Sequence, residues 1–163
     1  MKKAEELRTI VVLDNIRSVF NVGSIFRTAD ALGIKCLILG GTTPTPVDRF
    51  GRARPDIAKV ALGAENSVSW IYEKNILPEL KMLKREGYKV ITIEQSSKSI
   101  DYKKIKLSKK DKVVFVIGAE VDGVNKNLLK IADIVAEIPM LGKKESLNVS
   151  VAFGVALYRI LNI

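Results

Sequence analysis

Five stretches of the chain are apolar almost without interruption, and turn or polar residues close each one: TIVVLDN (Thr9–Asn15), KCLILG (Lys35–Gly40), YKVITIE (Tyr88–Glu94), KVVFVIG (Lys112–Gly118) and DIVAEIP (Asp133–Pro139). Their length and β-branched content predict buried strands. The segments between them change period. In NVGSIFRTADALG, residues Val22, Ile25, Phe26, Ala29 and Leu32 share one helical face, with Asn21 as the expected N-cap and Gly33 as the stop. The run Ala64–Gly87 reads as helix interrupted near Asn75, so that Pro78 falls in the first turn of a second helix, where proline is tolerated. KNLLKIA (Lys126–Ala132) predicts a short helix and LNVSVAFGVALYRIL (Leu147–Leu161) a closing one, while Gly41–Asp56 and the lysine-rich segment after Glu94 read as loops.

Strands that are apolar on both faces and alternate with helices predict an α/β domain, a mostly parallel sheet with helices on both faces. Ligands of such sheets bind at the carboxyl ends of the strands. The polar residues gather there: Asn21 and Arg27 after the first strand, Gly118 and Glu120 after VVFVI, and Met140 to Asn148 after the last strand. On the closing helix Val149, Val151, Ala152, Phe153, Val155, Ala156 and Leu157 cover most of the circumference. In so short a chain this predicts a subunit interface rather than a helix central in the monomer.

Composition narrows the chemistry. At 163 residues the chain predicts a single domain over 1–163, with no signal-peptide layout and no separate further domain. The opening MKKAEELR reads as a charged surface segment, and the chain as cytoplasmic, without a membrane span. There is no histidine, which removes histidine general bases, Ser-His-Asp triads and His-ligated metals; no metal is expected. The single cysteine, Cys36, sits in an apolar run and reads as a small buried hydrophobe. A net charge of +9 points to a polyanionic partner. Arg49, Arg52 and Arg54 in DRFGRAR suit nucleic-acid phosphate contact, whereas Lys98–Lys112, with seven lysines against two aspartates, reads either as such a contact or as a solvated surface. No dinucleotide fingerprint or P-loop is present. Asn21 before a helix and Arg27 within it suggest a phosphate held by both side chains and the helix amides.

Three motifs in order, DNIRSVFNVGSIFRTADALG, VFVIGAEVDGVN and IPMLGKKESLNVSVAFGVALY, resemble the signatures of the SpoU/TrmH family of the SPOUT superfamily, and the match runs from about Thr9 to the C-terminus. The resemblance implies a C-terminal deep trefoil knot, a homodimer, S-adenosyl-L-methionine as cofactor and transfer of a methyl group to a ribose 2′-hydroxyl of tRNA or rRNA. By position, Asn21 and Arg27 match the pair that organises RNA phosphate and reacting ribose. Glu120 matches the glutamate that shapes the active-site loops, and Ser146 and Asn148 the polar pair of the third motif. Gly118, Ile138, Met140 and Leu147 match cofactor-lining positions, and Gly142 the glycine that turns the loop around the ligand.

The reaction is an in-line displacement on a sulfonium methyl by a ribose oxygen, which demands alignment and removal of a proton. An arginine guanidinium keeps its charge in proteins, so Arg27 is expected to clamp phosphate, and the general base stays open. A base methyltransferase of the same fold and a non-catalytic RNA-binding or assembly protein are the competing readings. Which RNA is the target, and whether an accessory protein takes part, stays open too.

Overall fold

In the computed structural model, which describes residues 8–163, one seven-stranded sheet carries helices on both faces. The charged opening segment lies outside the described residues, apart from Arg8. The chain runs β1 (Arg8–Asp14), α1 (Val19–Ala31), β2 (Cys36–Gly40), α2 (Pro55–Ala61), α3 (Ala64–Ser67), β3 (Ser69–Glu73), α4 (Ile76–Arg85), β4 (Lys89–Ile93), β5 (Ile100–Asp101), β6 (Lys112–Gly118), α5 (Lys126–Ile131), β7 (Ile134–Glu137) and α6 (Val149–Leu161). The strand order is β3-β2-β1-β6-β4-β7-β5, and every pair is parallel.

Parallel strands need covered faces, and the alternation of side chains supplies two cores. Val11 and Leu13 of β1 and Val113, Phe115 and Ile117 of β6 meet α1, α2 and α6 through Phe26, Ile57 and Phe153. On the opposite face Val12, Val114 and Val116 meet Ile76, Leu80 and Leu83 of α4 and Leu128 of α5. Both faces of the central strands are thus sealed, and polar function is confined to the strand ends.

The structure corrects several expectations. Ser18, not Asn21, caps α1, its side chain accepting from the Asn21 N–H. Serine serves the cap as well as asparagine, and this moves Asn21 into the first turn. Gly33 does end the helix, at φ +66°. The stretch SWIYE, expected as helix, is the edge strand β3, paired with β2 from Ser69 to Glu73. Short runs rich in aromatic and β-branched residues carry both periods, and pairing decides. Asn75 caps α4, so Pro78 does fall in its first turn. Within the lysine-rich segment, Ile100 and Asp101 add a seventh strand beside β7, and a 3-10 turn follows at Tyr102–Lys104. Cys36 starts β2 half-buried, against the edge of the α4 core, rather than fully enclosed.

On α6, Phe153, Ala156, Leu157, Ile160 and Leu161 are buried, while Val151, Val155 and Tyr158 remain 40–49% exposed. The helix buries one face here and leaves an apolar stripe at i, i+4, i+7 on another. Among the described residues no helix is long and apolar enough to cross a membrane.

Candidate active site

A cleft of about 520 Å³ opens at the carboxyl ends of β4, β6 and β7, within the size range of small-molecule sites. Ile93, Ile117, Ile138, Leu147 and Val149 give it apolar walls, and Gly118, Met140, Glu120, Ser146 and Asn148 also line it. Four of the five residues expected against a cofactor therefore line this cleft. Gly142 is the exception: it lies outside the lining, a Cβ there would meet nothing, and its φ is not left-handed.

Gly118 is required by backbone, because a Cβ on it would collide with the amide nitrogen of Val124. Gly123, at φ +67°, could not carry a Cβ without striking Glu94 Oε2. The 119–124 loop folds back through an Ala119–Gly123 bridge, and Glu94 holds it by accepting the Val124 N–H at 2.9 Å. Glu94, Gln95 and Glu145 also line the cleft and were not singled out in the sequence. The signal was present: Glu94 and Gln95 follow directly on an apolar strand, where polar groups mark a ligand-facing edge.

Asn21 knots the three polar loops together. Its Nδ2 donates to Glu120 Oε1 at 2.9 Å, and its Oδ1 accepts from Asn148 Nδ2 at 3.1 Å. Asn148 in turn caps α6, accepting from Ser150 N at 2.9 Å and Val151 N at 3.4 Å. Glu120 also accepts the N–H groups of Arg17 and Ser18, both at 3.3 Å. Partial burial pushes the Glu120 carboxyl up, but the hydrogen bonds from Asn21, its own amide, Arg17 and Ser18 outweigh this and hold it below the ordinary range. It is thus a charged hydrogen-bond hub and a weak proton acceptor. Nearby, Asp14 ends β1 almost buried; burial raises its carboxyl, against hydrogen bonds from Asn125 and Asn15.

The expected joint phosphate clamp is not formed. Asn21 is 8% exposed and its amide is committed on both sides. Arg27 stands apart on α1, exposed, outside the cleft lining and without an ion pair to any described residue. Ser146 is exposed at the cleft with no hydrogen bond to a described residue.

A profile of the SpoU rRNA Methylase family matches residues 8–158. The chain belongs to that family. Among its relatives, the 23S rRNA (guanosine-2'-O-)-methyltransferase RlmB of Pseudomonas aeruginosa is 32% identical over 162 residues, covering 99% of this chain and 61% of the relative. The tRNA (guanosine(18)-2'-O)-methyltransferase of Aquifex aeolicus is 33% identical over 153 residues, covering 91% of this chain and 66% of the relative. An AdoMet-bound rRNA methyltransferase from Sinorhizobium meliloti superposes with a TM-score of 0.83 at 29% identity, over 96% of this chain and 56% of that one. The chain spans about three-fifths of the length of the RlmB relatives it matches.

In this SpoU-family chain the arginine loop differs from the expectation of three available cations. Asp48 takes Arg52 (Nε to Oδ2, 2.9 Å), and Asp56 takes Arg54 through two hydrogen bonds of 2.6 and 3.2 Å. The Arg52 amide first of all, then Phe50 and the guanidinium groups, hold the Asp48 carboxyl below its ordinary range; the Arg54 side chain does the same for Asp56. Arg49 alone of the three has no carboxylate partner among the described residues. The lysine run is partly structural: Lys112 donates to Glu86 O at 3.0 Å and Lys103 pairs with Asp101 at 3.4 Å.

Proposed function

We propose that this chain is an S-adenosyl-L-methionine-dependent methyltransferase that modifies a ribose 2′-hydroxyl of tRNA or rRNA. The observation that carries the reading is the Asn21–Glu120–Asn148 network, which joins all three family motifs at the mouth of one cleft. The printed activities of the relatives, on 23S rRNA and on tRNA, support ribose as the acceptor and leave both RNA classes open.

The cleft suits the cofactor chemically. Glu94, Glu120, Glu137 and Glu145 line it, and no lysine or arginine does among the described residues, in a chain of net charge +9. Such a lining favours a cationic ligand, and Ile93, Ile138 and Leu147 offer apolar contact to a flat base. When bound, S-adenosyl-L-methionine supplies an electrophilic sulfonium methyl and leaves as a neutral thioether.

The chain's own residues do the rest. Asn21 and Glu120 fix the 17–21 and 119–124 segments, and Asn148 fixes the start of α6, so that Ser146 stays at the cleft with a free hydroxyl. Arg27, exposed and without an ion pair to any described residue, binds the substrate phosphate from solvent. Glu120 positions rather than deprotonates, because its hydrogen bonds hold the carboxyl charged and below its ordinary range. Among the described residues no group of three or more His, Cys, Asp or Glu side chains is placed to hold a metal, and a neutral leaving group needs none.

The same proposal includes one methyltransferase domain, a cytoplasmic homodimer formed through the exposed stripe of α6, and a C-terminal trefoil knot made by the last strand, loop and helix. The test is incubation with S-adenosyl-L-methionine carrying a labelled methyl and with total tRNA or rRNA, followed by nucleoside analysis. Label on ribose supports the reading. Label on a base replaces it with the base methyltransferase, and absence of cofactor binding by calorimetry leaves only an RNA-binding role. Substituting Arg27 by lysine tests the clamp: full activity in that variant refutes an arginine-specific contact.

A further inference from the structure

The loop between β2 and α2 presents an aromatic ring rather than three arginines. Phe50 is 66% exposed at its tip, with the guanidinium carbons of Arg49 and Arg52 4.8 and 5.0 Å from the ring centroid. The tip is built to hold the ring outward. Asp48 Oδ1 accepts the N–H groups of Phe50 (2.8 Å) and Arg52 (3.0 Å), Val47 and Ala53 form an antiparallel bridge, and Gly51 turns the chain at φ +77°. Beside the ring lies a second cleft of about 550 Å³, walled by Thr42, Thr45, Arg54 and Tyr72. Tyr72 is 46% exposed and is fixed by its hydroxyl, which donates to Gly41 O at 2.9 Å.

We propose that this second cleft takes one unpaired nucleotide of the RNA substrate, its base stacked on Phe50 and its phosphate drawn by Arg49. A base of any identity has a π face that stacks on an aromatic ring; here it takes the place of the Arg49 guanidinium, which lies over the ring without a carboxylate partner among the described residues and is released to pair with phosphate. The net charge of +9 selects a polyanion over a neutral or basic protein surface. A duplex keeps its bases stacked inside, so the ligand is a looped or single-stranded nucleotide.

The position joins this cleft to the active site. Asn15 Oδ1 accepts the Thr42 N–H at 3.0 Å, and Thr43 Oγ1 accepts the Ile16 N–H at 3.1 Å. The chain then runs straight from Ile16 to Arg17 and Ser18, whose amides bind Glu120. A nucleotide at Phe50 therefore sits on the loop fastened to the segment that positions Glu120.

The proposal rests on the reading of an RNA substrate and not on methyl transfer, and its test separates the two. The wild type, Phe50→Ala and Phe50→Trp are titrated against a labelled, unstructured oligoribonucleotide and against the same strand annealed to its complement. Binding of S-adenosyl-L-methionine is measured in parallel by calorimetry. Phe50→Ala is expected to weaken single-strand binding about 5- to 150-fold, with Phe50→Trp close to wild type. Duplex binding and cofactor binding are expected to stay within about twofold, since neither uses a stacked base. Single-strand affinity within about twofold of wild type in Phe50→Ala overturns the proposal, as does an equal loss on single strand and duplex. A loss of self-association in sedimentation with RNA affinity intact also overturns it and assigns the ring to a second copy of the chain. Absent cofactor binding together with lost single-strand affinity refutes the proposed function and leaves the stacking site standing.

Discussion

Asn148 does two jobs that substitution can separate. Its Oδ1 caps α6, and loss of such a cap costs about 1 kcal/mol. Its Nδ2 donates at 3.1 Å to Asn21 Oδ1, and Asn21 is only 8% exposed. Removing that donor leaves a nearly buried acceptor unpaired, at about 1–3 kcal/mol; because Asn148 itself is exposed and water can enter, about 1 kcal/mol is the better figure. Asn148→Ala is therefore expected to destabilise by about 2 kcal/mol. Asn148→Ser keeps a good cap but is too short to reach Asn21, and is expected to lose about 1 kcal/mol. Both losses are small against a typical domain stability of about 5–15 kcal/mol, so the variants stay folded and their activity can be read.

Urea denaturation followed by circular dichroism measures the stabilities, and methyl transfer and cofactor calorimetry measure the site. If the network positions the site, Asn148→Ser should lose methyl transfer out of proportion to its small stability loss. The double variant Asn21→Ala/Asn148→Ala should fall short of the sum of the singles by about 1 kcal/mol, as expected for groups in direct contact. The reasoning fails if Asn148→Ser matches wild type in stability and activity, or if the double variant is additive within about 0.3 kcal/mol.

Three further outcomes follow from the same geometry. Gly118→Ala is expected to destabilise by about 1–3 kcal/mol, because its Cβ collides with the rigid Val124 backbone, and to abolish cofactor binding by calorimetry. For Glu120, the folded carboxyl lies below its unfolded value, so its contribution is present above about pH 4.3 and is lost as pH falls through the folded value. The stability gap between wild type and Glu120→Gln in urea should be widest near neutrality and close on acidification; a gap independent of pH contradicts the hub role. On the proposed homodimer, Val155→Glu places a charge in the exposed stripe of α6 and is expected to shift sedimentation toward the monomer; unchanged sedimentation refutes that interface.

The sheet was legible because its strands are buried on both faces. Val11, Val12 and Leu13 have nowhere polar to point, and neither do Val113 to Ile117, so each run announces itself without partners. The edges were not legible. β3 carries an exposed Ile71 and Tyr72 and a half-buried Trp70, a pattern that a helix also satisfies until β2 supplies the pairing. β5 has two residues, and only the register with Ala136 and Glu137 makes them a strand. The helix α2 starts at the last two residues of the Gly41–Asp56 loop and runs on through Ile57–Ala61, which the sequence pattern left unassigned, although Pro55 at its first position is a start signal.

The site divides along the same line, between what a residue shows locally and what distance conceals. Polar groups at strand ends could be read directly, and they located the cleft. The bonds that organise them span 99 residues from Asn21 to Glu120 and 127 from Asn21 to Asn148, and no local pattern predicts such pairs. Asn21 illustrates the cost. Its position before an apolar helical face fits an N-cap, a role that would use its side chain on its own helix. Because Ser18 takes that cap, Asn21 enters the first turn with its amide free, and one donor and one acceptor then reach two distant loops. Three residues of register at the start of α1 thus decide whether the three motifs form one site or remain three separate loops.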